Sequence, residues 1–181
     1  KSMKLKKSAK ELSKALYSVS KEHNLEDEVY LFLVDFTSLV TSENQFRALL
    51  QSKKIAGADK IKILKEVFGE KANILVLELT SYLSGLDAVH VLKEIKANFE
   101  RFYKKDKNIV TVKGIVSKEL DQKQIAHLKS SLDSLLGKKT DLTIVVDKAI
   151  IGGIKLRIEN TFLDGSVLNQ LQSLRTELLQ I

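Results

Sequence analysis

The sequence predicts an α plus α/β protein: an antiparallel bundle of six helices over residues 1–105, then a small α/β domain over 106–181 with a short mixed sheet and two helices. Three observations predict it. Apolar residues recur at three- and four-residue spacing as far as Phe102, the pattern turns to alternation from Ile109, and five of the eight glycines fall after residue 106. A chain of 181 residues can bury real cores, and the absence of cysteine, proline and tryptophan excludes a disulfide scaffold, a cysteine zinc site and a proline-rich linker.

Each element has its own reason. Leu5, Ala9, Leu12, Leu16, Val19 and His23 share one face of a first helix. Glu26, Asp27 and Glu28 open a second at its positive end, continued by Val29, Phe32, Leu33, Phe36, Leu39 and Val40. Phe46, Leu49 and Leu50 mark a third; Ile61, Leu64, Val67 and Phe68 mark a fourth, which Gly69 stops. Ile74, Leu75, Val76, Leu77, Leu79, Tyr82 and Leu83 surround a fifth on nearly every side, so it is expected to be the most enclosed. A buried strand is the alternative there, disfavoured by a length of about 13 residues. The sixth helix carries Ala88, Val91, Leu92, Ile95, Phe99 and Phe102 on one side.

Beyond the charged run at 104–107 the residues become β-branched. Ile109–Val116, then Leu142, Ile144 and Val146, then Ile154, Leu156 and Ile158 read as three strands. Between the first two lies a helix with Asp121 and Gln124 as its capping box, Ile125, Leu128, Leu132 and Leu135 as its stripe and Gly137 as its stop. Asp164-Gly165 is read as a turn leading to Ser166, the N-cap of a last helix that presents Val167, Leu171, Leu174 and Leu178 inward.

The net charge of +7 invites a nucleic-acid reading, and its placement argues against one. Lys1, Lys4, Lys6, Lys7 and Lys10 stand at the start with no acid among them, whereas residues 11–105 carry 14 basic and 14 acidic side chains. A near-neutral body does not make a phosphate-tracking groove. A basic adaptor that binds nucleic acid through this lysine-rich start is therefore the second reading. The apolar runs at 29–34 and 74–77 stop at Asp35 and Glu78, far short of the roughly 18 residues of a membrane span. The start also lacks the apolar stretch of a secretory signal.

No constellation for catalysis, cofactor or metal emerges. His23, His90 and His127 belong to three different helices, without metal-ligand spacing. Gly152-Gly153 opens a strand rather than a helix and is not followed by Lys-Ser/Thr, so a tight turn that needs positive φ explains it better than a phosphate cradle. Asp164-Gly165-Ser166 lacks the GxSxG elbow and a local histidine. What remains is an interaction protein, since amphipathic helices leave grooves that another helix can fill.

The stretch Ile150-Ile151-Gly152-Gly153-Ile154-Lys155-Leu156-Arg157-Ile158, followed by Phe162-Leu163-Asp164-Gly165-Ser166-Val167 and the leucines 171, 174 and 178, resembles the hallmark of the ATP synthase delta subunit family, called oligomycin-sensitivity-conferring protein in mitochondria. Ala15-Leu16-Tyr17 and the segment 55–69 resemble further family segments, so the likeness spans the chain. Leu12-Ser13 and Gly85-Leu86-Asp87 depart from the family's usual residues. The resemblance implies a noncatalytic stator subunit without cofactors, tying the head to the peripheral-stalk b subunits so that proton-driven rotation is coupled to ATP synthesis. It also implies a groove for the N-terminal helix of one alpha subunit, lined by Leu12, Ala15, Leu16 and Val19 of helix one and Leu79, Tyr82 and Leu83 of helix five. Gly152, Gly153, Asp164, Gly165 and Ser166 are then structural parts of the family motif.

Overall fold

The computed structural model describes residues 2–179, with side chains described for 8–176. Leu5 and Leu178, assigned above to helix stripes, lie outside the described side chains. The chain divides into two compact units, Lys1–Tyr103 and Lys104–Ile181.

Six α-helices precede the sheet: α1 (Ser2–Glu22), α2 (Glu26–Ser42), α3 (Asn44–Gln51), α4 (Gly57–Phe68), α5 (Ile74–Ser81) and α6 (Ala88–Asp106), with a 3-10 turn at Gly69–Lys71. Local chemistry sets their ends. Gly69 takes φ +55 where α4 stops, and the Asn73 side chain accepts a hydrogen bond from the Leu75 amide to cap α5. α5 is shorter than the sequence suggests. The amides of Tyr82 and Leu83 turn to the carbonyls of Leu79 and Thr80, at 3.3 and 3.0 Å, which tightens the last turn before Gly85 at φ +82.

One core serves these helices. Phe32, Phe36 and Phe68 stack and cross within 5.1–6.0 Å, Tyr17 meets Phe99 edge-on at 5.4 Å, and Val29, Leu33, Leu77, Leu92 and Ile95 are fully buried among them. Two faces differ from the expected stripes. The buried row of α1 is Ala9, Ser13, Leu16 and Ser20, while Val19 and His23 are exposed. The buried hydroxyls of Ser13 and Ser20 donate to Lys10 O and Tyr17 O, so a short polar residue enters the contact without an orphaned donor. On α4, Val67 is exposed and Lys60 is buried, the reverse of what hydropathy suggests.

The second unit runs β1 (Ile109–Val116), α7 (Gln122–Leu136), β2 (Lys139–Val146), β3 (Gly153–Ile158), β4 (Thr161–Ser166) and α8 (Val167–Leu179). Its sheet is mixed, in the order β2-β1-β3-β4, with β1 parallel to β2 and the other pairs antiparallel. The parallel pair needs a long crossover, which α7 supplies. The Asp121–Gln124 capping box is formed, at 2.7 and 3.0 Å, and Gly137 ends the helix at φ +61. Val110, Val112 and Leu132 make the small core, with Leu128, Leu136, Leu142, Leu156 and Ile158 around it.

Three expectations need correction. A fourth strand, β4, contains Asp164 and Gly165, so these are not a turn; the reversal lies just before it, where Glu159 adopts φ +50. Leu135 faces outward, because Leu128, Leu132 and Leu136 form the four-residue row that meets the sheet. The α8 stripe is not inward: Val167, Leu171 and Leu174 are 40, 57 and 55 % exposed. That helix packs on edge strand β4.

Candidate partner-binding surfaces

The seven groove residues named from the resemblance fall into two sets. Leu16, Leu79 and Leu83 belong to the core of the first unit. Ala15, Val19 and Tyr82 face outward, and Leu12 is half-buried between the two sets. Helical geometry explains the split on α1. At about 100° per residue, Ala9, Ser13, Leu16 and Ser20 cluster on one line, and Leu12, Ala15 and Val19 lie roughly 90° around from it. The apolar stripe is wider than the face the unit covers, and the surplus is a ridge turned to solvent.

Beside this ridge the connection from α5 to α6 forms a wall. Leu12, together with Ser8, faces Tyr82, Leu83, Ala88 and Val91 across a cleft of about 230 Å³. Tyr82 is 80 % exposed and Leu86 88 %, large apolar side chains that no part of the described unit covers. A wider cleft of about 560 Å³ between α2 and α6 is lined by Val34, Thr37, Ser38, Thr41, Lys93 and Lys96, and has no aromatic anchor. Sequence reasoning named neither Ser8 nor Ala88 nor Val91 as wall residues; Ala88 and Val91 are legible as an apolar pair on α6, but periodicity does not say which flank opens.

The second unit holds the glycine motif and several half-exposed apolar side chains. Gly153 adopts φ +83, and a Cβ there would lie 2.4 Å from the Gly165 carbonyl oxygen, so only glycine fits where β3 meets β4. Gly152 precedes this crossing, where the Val167 amide donates to its carbonyl, and Gly165 pairs with Ile154. Asp164 accepts from the Ser166 amide at 2.9 Å and pairs with Lys155 across the strands at 3.0 Å. Hydrogen bonds from Ser166, first its side chain and then its backbone, and next from Lys155 draw the Asp164 carboxyl down to about 2. The Ser166 hydroxyl accepts from the Asn169 amide at 3.4 Å, as an N-cap does. These residues lock the path of the chain into α8. Beyond them, Phe162, Leu163, Leu168, Leu171 and Leu174 are about half exposed.

The polar groups assemble into nothing comparable. The three histidines are exposed, His90 on α6 and His127 on α7, while His23 lies in the turn after α1 rather than in a helix as the sequence suggests; among the described residues no group of His, Asp and Glu is placed to hold a metal ion. Lys10 is exposed; Lys1, Lys4, Lys6 and Lys7 lie outside the described side chains. No helix among the described residues is long and apolar enough to cross a membrane.

Fold and surfaces thus define a class: a two-unit interaction protein whose distinguishing chemistry is uncovered apolar surface. The family described as ATP synthase delta (OSCP) subunit matches residues 9–178. "ATP synthase subunit delta" of Caldanaerobacter subterraneus subsp. tengcongensis is 30% identical over 176 residues, 95% of this chain and 96% of the relative. The protein of the same description from Chloroherpeton thalassium is 29% identical, over 91% and 90% of the two chains. A chain in the cryo-EM structure of the Toxoplasma gondii mitochondrial ATP synthase hexamer shares the fold with a TM-score of 0.62 at 21% identity, covering 94% of this chain and 97% of that one. The chain belongs to the ATP synthase delta (OSCP) subunit family, whose members are structural stator subunits. Nothing in these likenesses supports the nucleic-acid reading.

Proposed function

We propose that this chain ties the catalytic head of an ATP synthase to its peripheral stalk and so keeps the head from turning with the rotor. In this reading residues 1–105 act as one antiparallel six-helix bundle that receives the N-terminal helix of an alpha subunit between α1 and α5. Residues 106–181 receive the ends of the b subunits. One copy serves each complex, peripheral to the membrane: on the cytoplasmic side of a bacterial inner membrane, or at the organellar equivalent. The chain itself carries no catalytic site and couples proton-driven rotation to synthesis only by holding fast.

The observation that carries this reading is the mismatch on α1. Leu12, Ala15 and Val19 extend the apolar stripe past the face the unit buries, and Leu12 meets the exposed ring of Tyr82 across the cleft. Such surplus surface is what a docked amphipathic helix covers. A tether under torque must release slowly, and a largely apolar contact of about 800 Å² per partner provides that. Two attachments on one chain reinforce each other by raising the effective concentration of the second.

A peptide with the sequence of the alpha subunit's N-terminal helix is expected to bind the full chain with micromolar or tighter affinity by calorimetry. Tyr82→Asp is expected to abolish binding and leave the helical circular dichroism unchanged, because that ring is already 80 % exposed. Leu16→Asp or Leu83→Asp would place a carboxylate in the core and report on folding instead. A native chain that ignores the peptide refutes the groove.

A further inference from the structure

Lys60 is the one lysine among the described residues that the structure buries, at 2 % exposure. Its Nζ donates to the carbonyls of Leu50 and Leu83, each at 2.9 Å, and among the described residues no carboxylate pairs with it. Burial without a counter-ion lowers its affinity for a proton. A cation held in this way is a costly device for joining two carbonyls, so what it joins is informative. Leu50 lies in the last turn of α3; Leu83 lies in the connection between α5 and α6, the wall of the cleft that faces Leu12.

Two further bonds run between the same partners. The Gly85 amide donates to Gln51 O at 2.9 Å, and Gln51 Nε2 donates to Leu86 O at 3.2 Å. Residues 83, 85 and 86 are therefore stitched to the end of α3 and to α4. The connection is outside the regular helices at these positions, and Gly85 sits at φ +82. Left to itself such a segment samples many shapes.

We propose that Lys60 and Gln51 form a clamp that holds the connection between α5 and α6 in the shape of the groove wall, acting as positioning residues for a docked helix that neither of them touches. The inference rests on the docking reading above and adds the part that makes the groove rigid. A wall fixed before binding loses less freedom when the partner arrives. The clamp therefore acts mainly on the lifetime of the complex.

The test compares the full-length chain with three variants, using the same peptide of the alpha subunit's first helix and native-state amide exchange. Lys60→Met keeps the stem and removes both donors. Gln51→Met removes only the bond to Leu86 O on the half-buried side and keeps the variant foldable. Val40→Ala opens a cavity at α2, at a residue that makes none of these hydrogen bonds, and serves as the control for general destabilisation. Lys60→Met is expected to weaken peptide binding about tenfold and Gln51→Met two- to threefold, chiefly through faster dissociation. In both, the Gly85 amide exchanges faster while those of Leu92 and Ile95 in the core of α6 stay protected. Val40→Ala lowers the unfolding midpoint with binding kept within twofold.

Native binding that survives Lys60→Met and Gln51→Met unchanged overturns the clamp and leaves the groove standing, as does Gly85 exchange that neither variant alters. Binding lost equally in Val40→Ala reduces the effect to stability and also overturns it. If Lys60→Met does not fold, Gln51→Met alone decides. A native chain that does not bind the peptide overturns the groove and the clamp together.

Discussion

The two units spend their apolar residues differently. In the first, Phe36, Phe99, Leu33 and Leu92 are sealed inside a core to which all six helices contribute, and the exposed apolar side chains are spread singly over α2, α4 and α5 as well as along the flank of α1 and the wall beside it. In the second, Val110, Val112, Val116, Leu132 and Ile150 are buried, and Phe162, Leu163, Leu168, Leu171 and Leu174 stand half exposed. Stability on folding scales with the apolar area removed from water, so the first unit draws on the larger core and the second holds much of its driving force in reserve. A partner on that reserve adds both affinity and stability, because anything that binds only the folded form stabilises it by mass action.

The composition offers a way to read the units separately. There is no tryptophan, and all four tyrosines, Tyr17, Tyr30, Tyr82 and Tyr103, belong to the first unit. Tyrosine emission therefore follows one unit, and far-ultraviolet circular dichroism follows both. The largest effect is expected from Phe99→Ala: a fully buried ring removed from contact with Tyr17 costs about 3–5 kcal/mol, read as a shift of the urea midpoint by tyrosine emission. An equal loss in the dichroism that follows the second unit would mean that the units do not unfold separately.

Gly153→Ala is the counterpart in the second unit. Positive φ alone costs an alanine about 1–3 kcal/mol, and the contact with the Gly165 oxygen adds to it. The expected result is an earlier second transition in the dichroism with the tyrosine transition unmoved. Tyrosine emission that moved in step would remove the contrast between the units.

A milder effect belongs to Asp164. With its carboxyl drawn from the ordinary 3.8 to about 2, the folded form holds its proton less tightly than the unfolded chain does. Its stabilisation is complete above about pH 4 and is lost as pH falls from there through 2. Asp164→Asn removes the charge at every pH. Native and variant second units should differ most at pH 5 and converge by pH 2, measured as the gap between their urea midpoints. A gap that persists at pH 2 would place the role of Asp164 in packing.

How legible these features were depends on whether one residue's chemistry sufficed. Gly69, Gly137, the Asp121–Gln124 box and Ser166 each declare a helix end by local stereochemistry, and the structure places each as read. β4 was not legible, because Thr161-Phe162-Leu163-Asp164-Gly165-Ser166 contains the Asp-Gly pair that usually marks a turn. Its strand pairing comes from β3, through the register of Lys155 opposite Asp164 and Gly153 opposite Ser166. Lys60 was illegible for a related reason: a lysine reads as solvated until two carbonyls from distant segments arrive at its Nζ. On α1 the period of Leu12, Ala15, Leu16 and Val19 was plain, yet which of them the unit covers depends on where α5 packs. The family motif was clear in the sequence, whereas the division between buried and exposed residues of the stripe was not.

The smallest expected effect on stability sharpens the comparison most. Leu171→Ser and Leu174→Ser change side chains that are already 57 and 55 % exposed, so each should alter the unfolding free energy by no more than about 0.5 kcal/mol in the isolated chain. If α8 and β4 carry the stalk attachment, the same substitutions should weaken capture of a fragment from the carboxyl end of a b subunit at least tenfold, measured with the full chain immobilised. They should also abolish the stabilisation that the fragment confers on the second transition. A leucine that matters little to its own unit and greatly to a partner is the signature of reserved apolar surface. Should either serine variant cost several kcal/mol alone, the α8 stripe would be core after all. The second unit would then be as self-contained as the first.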